Sequence, residues 1–119
     1  MNKMGMYGER CAARFLRDKG YKIITANYTT RLGEIDIIAS DEKYIIFVEV
    51  KARGENSIAQ PCEFVDENKQ RKILSTAQLY LSSYPSDDLQ PRFDIIEVFL
   101  DDNNKMKKIN HIENAFDGE

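Results

Sequence analysis

The fold is set by residues 33–53, which read GEIDIIASDEKYIIFVEVKAR. Two apolar runs in this stretch, residues 34–39 and 44–52, are joined by a short polar turn, and that arrangement predicts a β-hairpin. In the second run both alternating faces are apolar until Glu49 and Lys51. We therefore expect this strand at the centre of a sheet that is covered on both sides.

Periodicity and turn residues predict the elements on either side of this hairpin. The expected elements are a helix over residues 5–19, a strand over 21–29, a loop over 53–62, a helix N-capped by Asp66 and ended by Pro85, a strand over 92–100 and a short edge strand over 105–112. The expected apolar stripe of the second helix consists of Ile73, Leu74, Ala77, Tyr80, Leu81 and Tyr84. The predicted order is α-β-β-β-α-β, with one additional strand.

Length and composition limit the class of protein. The 119 residues fit one domain spanning 1–119, and 42% hydrophobic with 31% charged residues is typical of a globular protein. No apolar run approaches the roughly 18 residues that span a bilayer, and the first residues lack the apolar stretch of a signal peptide. We therefore expect a cytoplasmic protein without a membrane segment.

Cys11 and Cys62 form no metal-binding spacing and are expected to be reduced thiols.

The distribution of charge along the chain is more informative than the net charge of −3. Residues 1–72 carry a net +2, whereas residues 73–119 carry a net −5. A nucleic-acid surface on the first part is compatible with this division, although composition alone does not predict one.

The chemistry is expected at the end of the central strand. Strand alternation places Glu49 and Lys51 side by side on one face, about 6.6 Å apart, and Asp36 on the neighbouring strand is expected to face Glu49. Carboxylates are ligands for Mg²⁺ or Mn²⁺, and Lys51 would orient a water for phosphodiester hydrolysis. Glu9 borders the apolar stripe of the first helix and is a further candidate ligand. From spacing alone, an internally paired or solvated Glu49–Lys51 couple remains the alternative, because E-x-K is a short pattern.

Several motifs together resemble a known family. The Asp36, Glu49 and Lys51 set resembles the D…E-x-K core of the PD-(D/E)xK nuclease superfamily, and the whole chain resembles the YraN family of bacterial proteins. Three further segments support that resemblance: Gly5-x-x-Gly8-Glu9 with Ala12-Ala13-x-x-Leu16, then Arg92-Phe93-Asp94, and the ending His111-Ile112-Glu113-Asn114-Ala115-Phe116.

The resemblance implies an α/β fold with a restriction-endonuclease-like core, in which helices flank a central mixed sheet, similar to archaeal Holliday-junction resolvases. It implies metal ligation by Asp36 and Glu49, a catalytic role for Lys51 and an accessory acid role for Glu9. The implied substrate is DNA, including branched or structured DNA. Two symmetric cuts in a junction would require a homodimer.

Basic side chains near this core are candidates for binding phosphates. They are Arg53 after the E-x-K strand and Lys69, Arg71 and Lys72 at the start of the second helix. A solvated helix face is the alternative for the helical cluster. Two other hypotheses stay open beside the nuclease: a non-catalytic nucleic-acid-binding module, and a protein-interaction scaffold that uses the acidic C-terminal part.

Overall fold

The computed structural model describes residues 3–54 and 65–116, with the side chains of Lys3 and Met4 left aside. The elements follow the order α-β-β-β-α-β-β: α1 (Lys3–Asp18), β1 (Lys22–Thr30), β2 (Gly33–Ser40), β3 (Tyr44–Gly54), α2 (Glu67–Ser83), β4 (Gln90–Leu100) and β5 (Met106–Phe116). This order confirms the prediction, although residues 53 and 54 belong to β3 rather than to a loop. The rest of the predicted loop, including Cys62, lies outside the described residues. Neither described helix is long and apolar enough to cross a membrane.

All five strands form one mixed sheet in the order β1-β2-β3-β4-β5. β3 lies at its centre, antiparallel to β2 and parallel to β4, and the two outer pairs are antiparallel. The predicted central mixed sheet, compatible with a restriction-endonuclease-like core, is thereby confirmed. β5 is longer than the predicted edge strand because an irregularity in register lets its pairing with β4 continue to Phe93 opposite Phe116.

The two helices cover opposite faces of the sheet. On one face, Ala12 and Leu16 of α1 pack with Ile46 and Val48 of β3. On the other face, buried residues of α2 pack with the alternate residues of β2, β3 and β4; they are Ile73, Ala77, Tyr80, Ile38, Ile45, Phe47, Phe93 and Ile95. Both faces of β3 are therefore buried, as its apolar pattern predicts.

The predicted boundaries of α2 are largely confirmed. Asp66 is the N-cap, and its carboxylate accepts a hydrogen bond from the Lys69 backbone N–H at 2.8 Å. The prediction that Tyr84 belongs to the buried stripe is wrong, because Tyr84 is the C-cap residue and is 58% exposed. Thr76 is buried instead, and its hydroxyl donates to the Lys72 carbonyl at 2.7 Å, which satisfies its polar group.

Two glycines allow the helices to approach the sheet closely. A Cβ on Gly8 of α1 would lie 3.0 Å from Ala52 Cβ, so α1 crosses β3 with almost no space between them. A Cβ on Gly33 would lie 3.0 Å from Thr76 Oγ1, and the φ of +152° is itself unfavourable for other residues. Glu9 follows the first glycine, and Asp36 lies close to the second along the chain. Both helices thereby pack next to the candidate site.

Candidate active site

Asp36 and Glu49 come together where the ladder between β2 and β3 ends. The paired residues run from Ser40–Ile45 to Ile37–Val48, and beyond that point Asp36 Oδ2 accepts a hydrogen bond from the Val50 backbone N–H at 2.8 Å. Glu49 follows Phe47 by two residues and so lies on the α2 side of the sheet, whereas the alternation of β2 is interrupted at Asp36, because Ile35 and Ile38 both pack on that side. Each residue is only 8% exposed. The sequence-predicted pair is therefore buried on adjacent strands.

The burial of these two carboxylates has an electrostatic cost. Removal from water, followed by repulsion from Glu49, raises the pKa of Asp36 from 3.8 to about 7, although the Val50 N–H opposes this change. Glu9 and Glu34 act in the same direction. In the absence of a cation, Asp36 thus carries a proton close to neutral pH far more readily than an exposed aspartate does.

Glu9 reaches the same region from the α1 side of the sheet. Burial, then the charge of Glu34, raises its pKa, and Glu49 contributes as well, while a hydrogen bond with Asn27 opposes the change. Glu9 is therefore within electrostatic range of the Asp36–Glu49 pair. Its hydrogen bond goes to β1, however, and not to either predicted metal ligand.

Two lysines share one oxygen of Glu49. Lys51 Nζ lies 3.7 Å from Glu49 Oε1, and Lys69 Nζ lies 2.6 Å from the same atom. Burial and the neighbouring Lys69 charge lower the pKa of Lys51, although Glu49 opposes the change. Burial disfavours the charged form of Lys69, but the hydrogen bond to Glu49 and the charges of Glu49 and Asp36 act together against that effect, and the pKa of Lys69 is raised. Lys69, predicted only as a phosphate contact, is thus part of the carboxylate cluster.

Glu97 is a site residue that the sequence interpretation missed. It is fully buried, and in the parallel pairing of β3 with β4 it lies opposite Lys51. Its Oε2 accepts from Arg53 Nε at 3.2 Å, and its Oε1 accepts from Asn110 Nδ2 at 2.9 Å. An acid flanked by apolar residues of β4, from Ile95 to Leu100, is the same signal that singles out Glu49 in β3, and it could have identified Glu97.

The basic residues of the predicted phosphate surface take different positions. Arg53 is held against Glu97, and its side chain is only 12% exposed. Arg71 is 68% exposed and lies 4.0 Å from Glu67 on the same helix. Lys72 is exposed and lines a cavity of about 270 Å³ together with Lys69. The structure brings Arg53 and Lys69 to the carboxylates and leaves Arg71 on the solvent side of α2.

The donor atoms fit a hard divalent cation in part. Among the described residues, no group of three or more His, Cys, Asp or Glu side chains is arranged to hold a metal ion. Within that part of the chain, the hydrogen bond to Asp36 is made at Oδ2, and both ion pairs of Glu49 are made at Oε1. These contacts leave Asp36 Oδ1 and Glu49 Oε2 available. Two repelling carboxylates with available oxygens suit Mg²⁺ or Mn²⁺, whose charge would relieve the repulsion.

The two remaining family-like motifs meet on the opposite face of the sheet. Asp94 accepts hydrogen bonds from Arg92 Nε at 2.9 Å and Arg92 Nη2 at 2.8 Å, so the two side chains form a bidentate ion pair. His111 Nε2 lies 2.8 Å from Asp94 Oδ2, and the Asn114 backbone N–H donates to Asp94 Oδ1 at 2.9 Å. This cluster ties β5 to β4 and is separate from the carboxylates near Lys51.

Comparison with known proteins identifies the family. The model of the uncharacterised protein family UPF0102 matches residues 8–98. A UPF0102 protein of Caldanaerobacter subterraneus subsp. tengcongensis is 47% identical over 114 residues, covering 95% of this chain and 93% of the relative. A UPF0102 protein of Alkaliphilus oremlandii is 49% identical over 116 residues, covering 96% and 97%. The chain therefore belongs to the UPF0102 family, the YraN-type family that its motifs predict.

Proposed function

We propose that this protein is a Mg²⁺- or Mn²⁺-dependent endonuclease that hydrolyses phosphodiester bonds in DNA, with branched or otherwise structured DNA as the preferred substrate. The proposal rests on one observation: Asp36 and Glu49 are buried together on adjacent strands, with Lys51 Nζ 3.7 Å from Glu49. Burial and mutual repulsion of this kind are characteristic of functional sites.

Each residue has a defined task in this proposal. Asp36 and Glu49 would hold the divalent cation, with Glu9 as a further candidate. When bound, the cation polarises a phosphoryl oxygen and acidifies a coordinated water. Lys51, held next to Glu49, orients the attacking water and offsets the negative charge that grows on the phosphate. Arg53, oriented by Glu97, provides a guanidinium for a neighbouring phosphate of the same strand.

The substrate class follows from the roles of these residues. The site has hard anionic ligands with lysine and arginine beside them, which suits the anionic backbone of a nucleic acid. A four-way junction requires two cuts related by symmetry. A homodimer with one site in each subunit is therefore the expected form on such a substrate.

The test compares cleavage and binding in the variant Lys51→Ala. Linear, flapped and four-way DNA are incubated with the protein in Mg²⁺ and in Mn²⁺, and binding is measured in Ca²⁺. We expect the substitution to slow cleavage by about 10²- to 10⁴-fold, the usual effect of losing a positioned catalytic group. DNA affinity should change much less, because several cations share the phosphate contacts.

Lys43→Ala is the matched control, since Lys43 is an exposed lysine in the turn before β3, at the opposite end of that strand. It should cut at the wild-type rate. Equal cleavage rates for Lys51→Ala and the wild type would reduce Lys51 to a structural partner of Glu49. If the wild-type protein cut none of these DNAs with either metal, the nuclease proposal would be wrong.

A further inference from the structure

Lys69 has a position that phosphate binding does not explain. It lies in the first turn of α2, where the Asp66 carboxylate fixes its backbone N–H at 2.8 Å. Its Nζ lies 2.6 Å from Glu49 Oε1, more than 1 Å closer than the Nζ of Lys51 at 3.7 Å. The helix terminus is therefore anchored so that this side chain reaches the central strand.

Two ammonium groups already face Glu49 without any metal. Lys51 Nζ and Lys69 Nζ both pair with Glu49 Oε1, so a divalent cation arriving at this carboxylate would meet two ammonium groups. Lys51 belongs to the same strand as Glu49 and is 24% exposed, whereas the Lys69 side chain is 42% exposed. Lys69 can turn into water on a flexible four-carbon chain, and it is the group that can leave at the lower cost.

We infer that Lys69 and a divalent cation occupy Glu49 alternately, so that Lys69 is a positioning residue that holds the carboxylate until the metal replaces it. This inference rests on the proposed metal-dependent function. Without metal, the ion pair keeps Glu49 oriented and offsets part of its repulsion with Asp36. With metal bound, the ammonium is released at the rim of the site, close to the exposed Lys72.

The experiment measures Mn²⁺ binding by calorimetry in the absence of DNA. We expect Lys69→Met to bind Mn²⁺ about three- to fivefold more tightly than the wild type, the size expected for removal of a partly exposed competing ion pair. Lys69→Arg retains a cation that can pair with Glu49, so its affinity should stay near that of the wild type. Thermal unfolding of each variant verifies the fold.

Arg71→Met is the matched control. It removes one positive charge from the same turn of α2, but Arg71 is 68% exposed and pairs with Glu67 instead of the site. Its Mn²⁺ affinity should change less than that of Lys69→Met. Equal or weaker Mn²⁺ binding by Lys69→Met, or an equal gain in Arg71→Met, would overturn the inference alone. Failure of the wild type to bind Mn²⁺ would instead overturn the proposed metal-dependent function together with the inference.

Discussion

Asp36 is the residue at which the stability cost of burying a carboxylate is most clearly opposed to the proposed metal-binding function. Its folded-state pKa of about 7 lies above the ordinary value of 3.8, because it is buried next to Glu49. The folded protein therefore retains a proton that the unfolded chain releases near pH 4. It follows that the stability of the metal-free protein falls as pH rises from about 4 to about 7.

The first prediction is that Asp36→Asn stabilises the metal-free protein at pH 8 by about 1–3 kcal/mol. The amide can still accept the hydrogen bond from Val50, but it carries no charge to repel Glu49. The difference should become small near pH 4, where the aspartate is protonated in the folded state and about half protonated in the unfolded chain. Urea unfolding in EDTA at the two pH values measures it.

Glu67→Gln is a control for this pH dependence, because the Glu67 side chain is 92% exposed. It should show a much smaller difference between the two pH values. A loss of stability in Asp36→Asn at pH 8 would contradict the prediction and would mean that the carboxylate is well compensated without metal.

At the scale of elements, the close crossing of α1 over β3 positions Glu9. Gly8 lies directly against Ala52, since a Cβ there would approach the alanine Cβ to 3.0 Å. A larger side chain at this crossing would push the helix away from the strand. Glu9, the next residue along α1, would then move away from the carboxylates.

We therefore predict that Gly8→Val lowers stability by about 1–3 kcal/mol, the usual cost of overpacking. Chemical denaturation measures this loss. Gly54→Val is the control, because no atom of the described residues, apart from the chain neighbours, lies within 4 Å of the Cβ position of Gly54, and it should stay within about 0.5 kcal/mol of the wild type. If both variants lost the same stability, backbone preference and not the helix–strand crossing would be the cause.

At the scale of the whole molecule, the sheet has two buried acidic clusters with opposite electrostatics. Asp94 lies on the α1 side, and although burial tends to raise its pKa, the bonds from His111 and Arg92 outweigh this effect and lower it. Asp36 belongs to the cluster with Glu49 and has a raised pKa. The first cluster is internally satisfied and stabilises the fold, whereas in the second burial and the neighbouring acids disfavour the ionised form of Asp36.

Asp94→Asn should therefore destabilise the protein by about 3–5 kcal/mol at pH 7, because it removes the buried carboxylate that pairs with Arg92 and leaves, among the described residues, only the half-exposed Glu113 as a charged partner. The contribution of Asp94 is present above about pH 4 and is lost as pH falls through its lowered pKa. Urea unfolding across this pH range measures both effects. Glu113→Gln is the control, since the Glu113 side chain is half exposed and lies 3.5 Å from Arg92, and its effect should stay below about 1 kcal/mol.

Local patterns in the sequence determined the hairpin, both helices, the central position of β3 and the shared face of Glu49 and Lys51. Alternation, helical spacing and the Asp66 cap act between residues that are close along the chain, so they can be recognised without knowledge of the packing. The same patterns, with the family-like motifs, predicted Asp36 as the neighbour of Glu49.

Only the tertiary structure decided which distant charges meet. Lys69 follows Glu49 by twenty residues, and the sequence pattern of its basic cluster is the same whether the cluster faces water or a carboxylate. Lys69 contacts Glu49 only because α2 packs against the sheet. Glu97 likewise acquired its contact with Arg53 from the parallel pairing of β3 with β4. Sequence periodicity assigns a side chain to a face, but its charged partner depends on how separate elements pack, because buried charges must be compensated by whatever group the fold brings within reach.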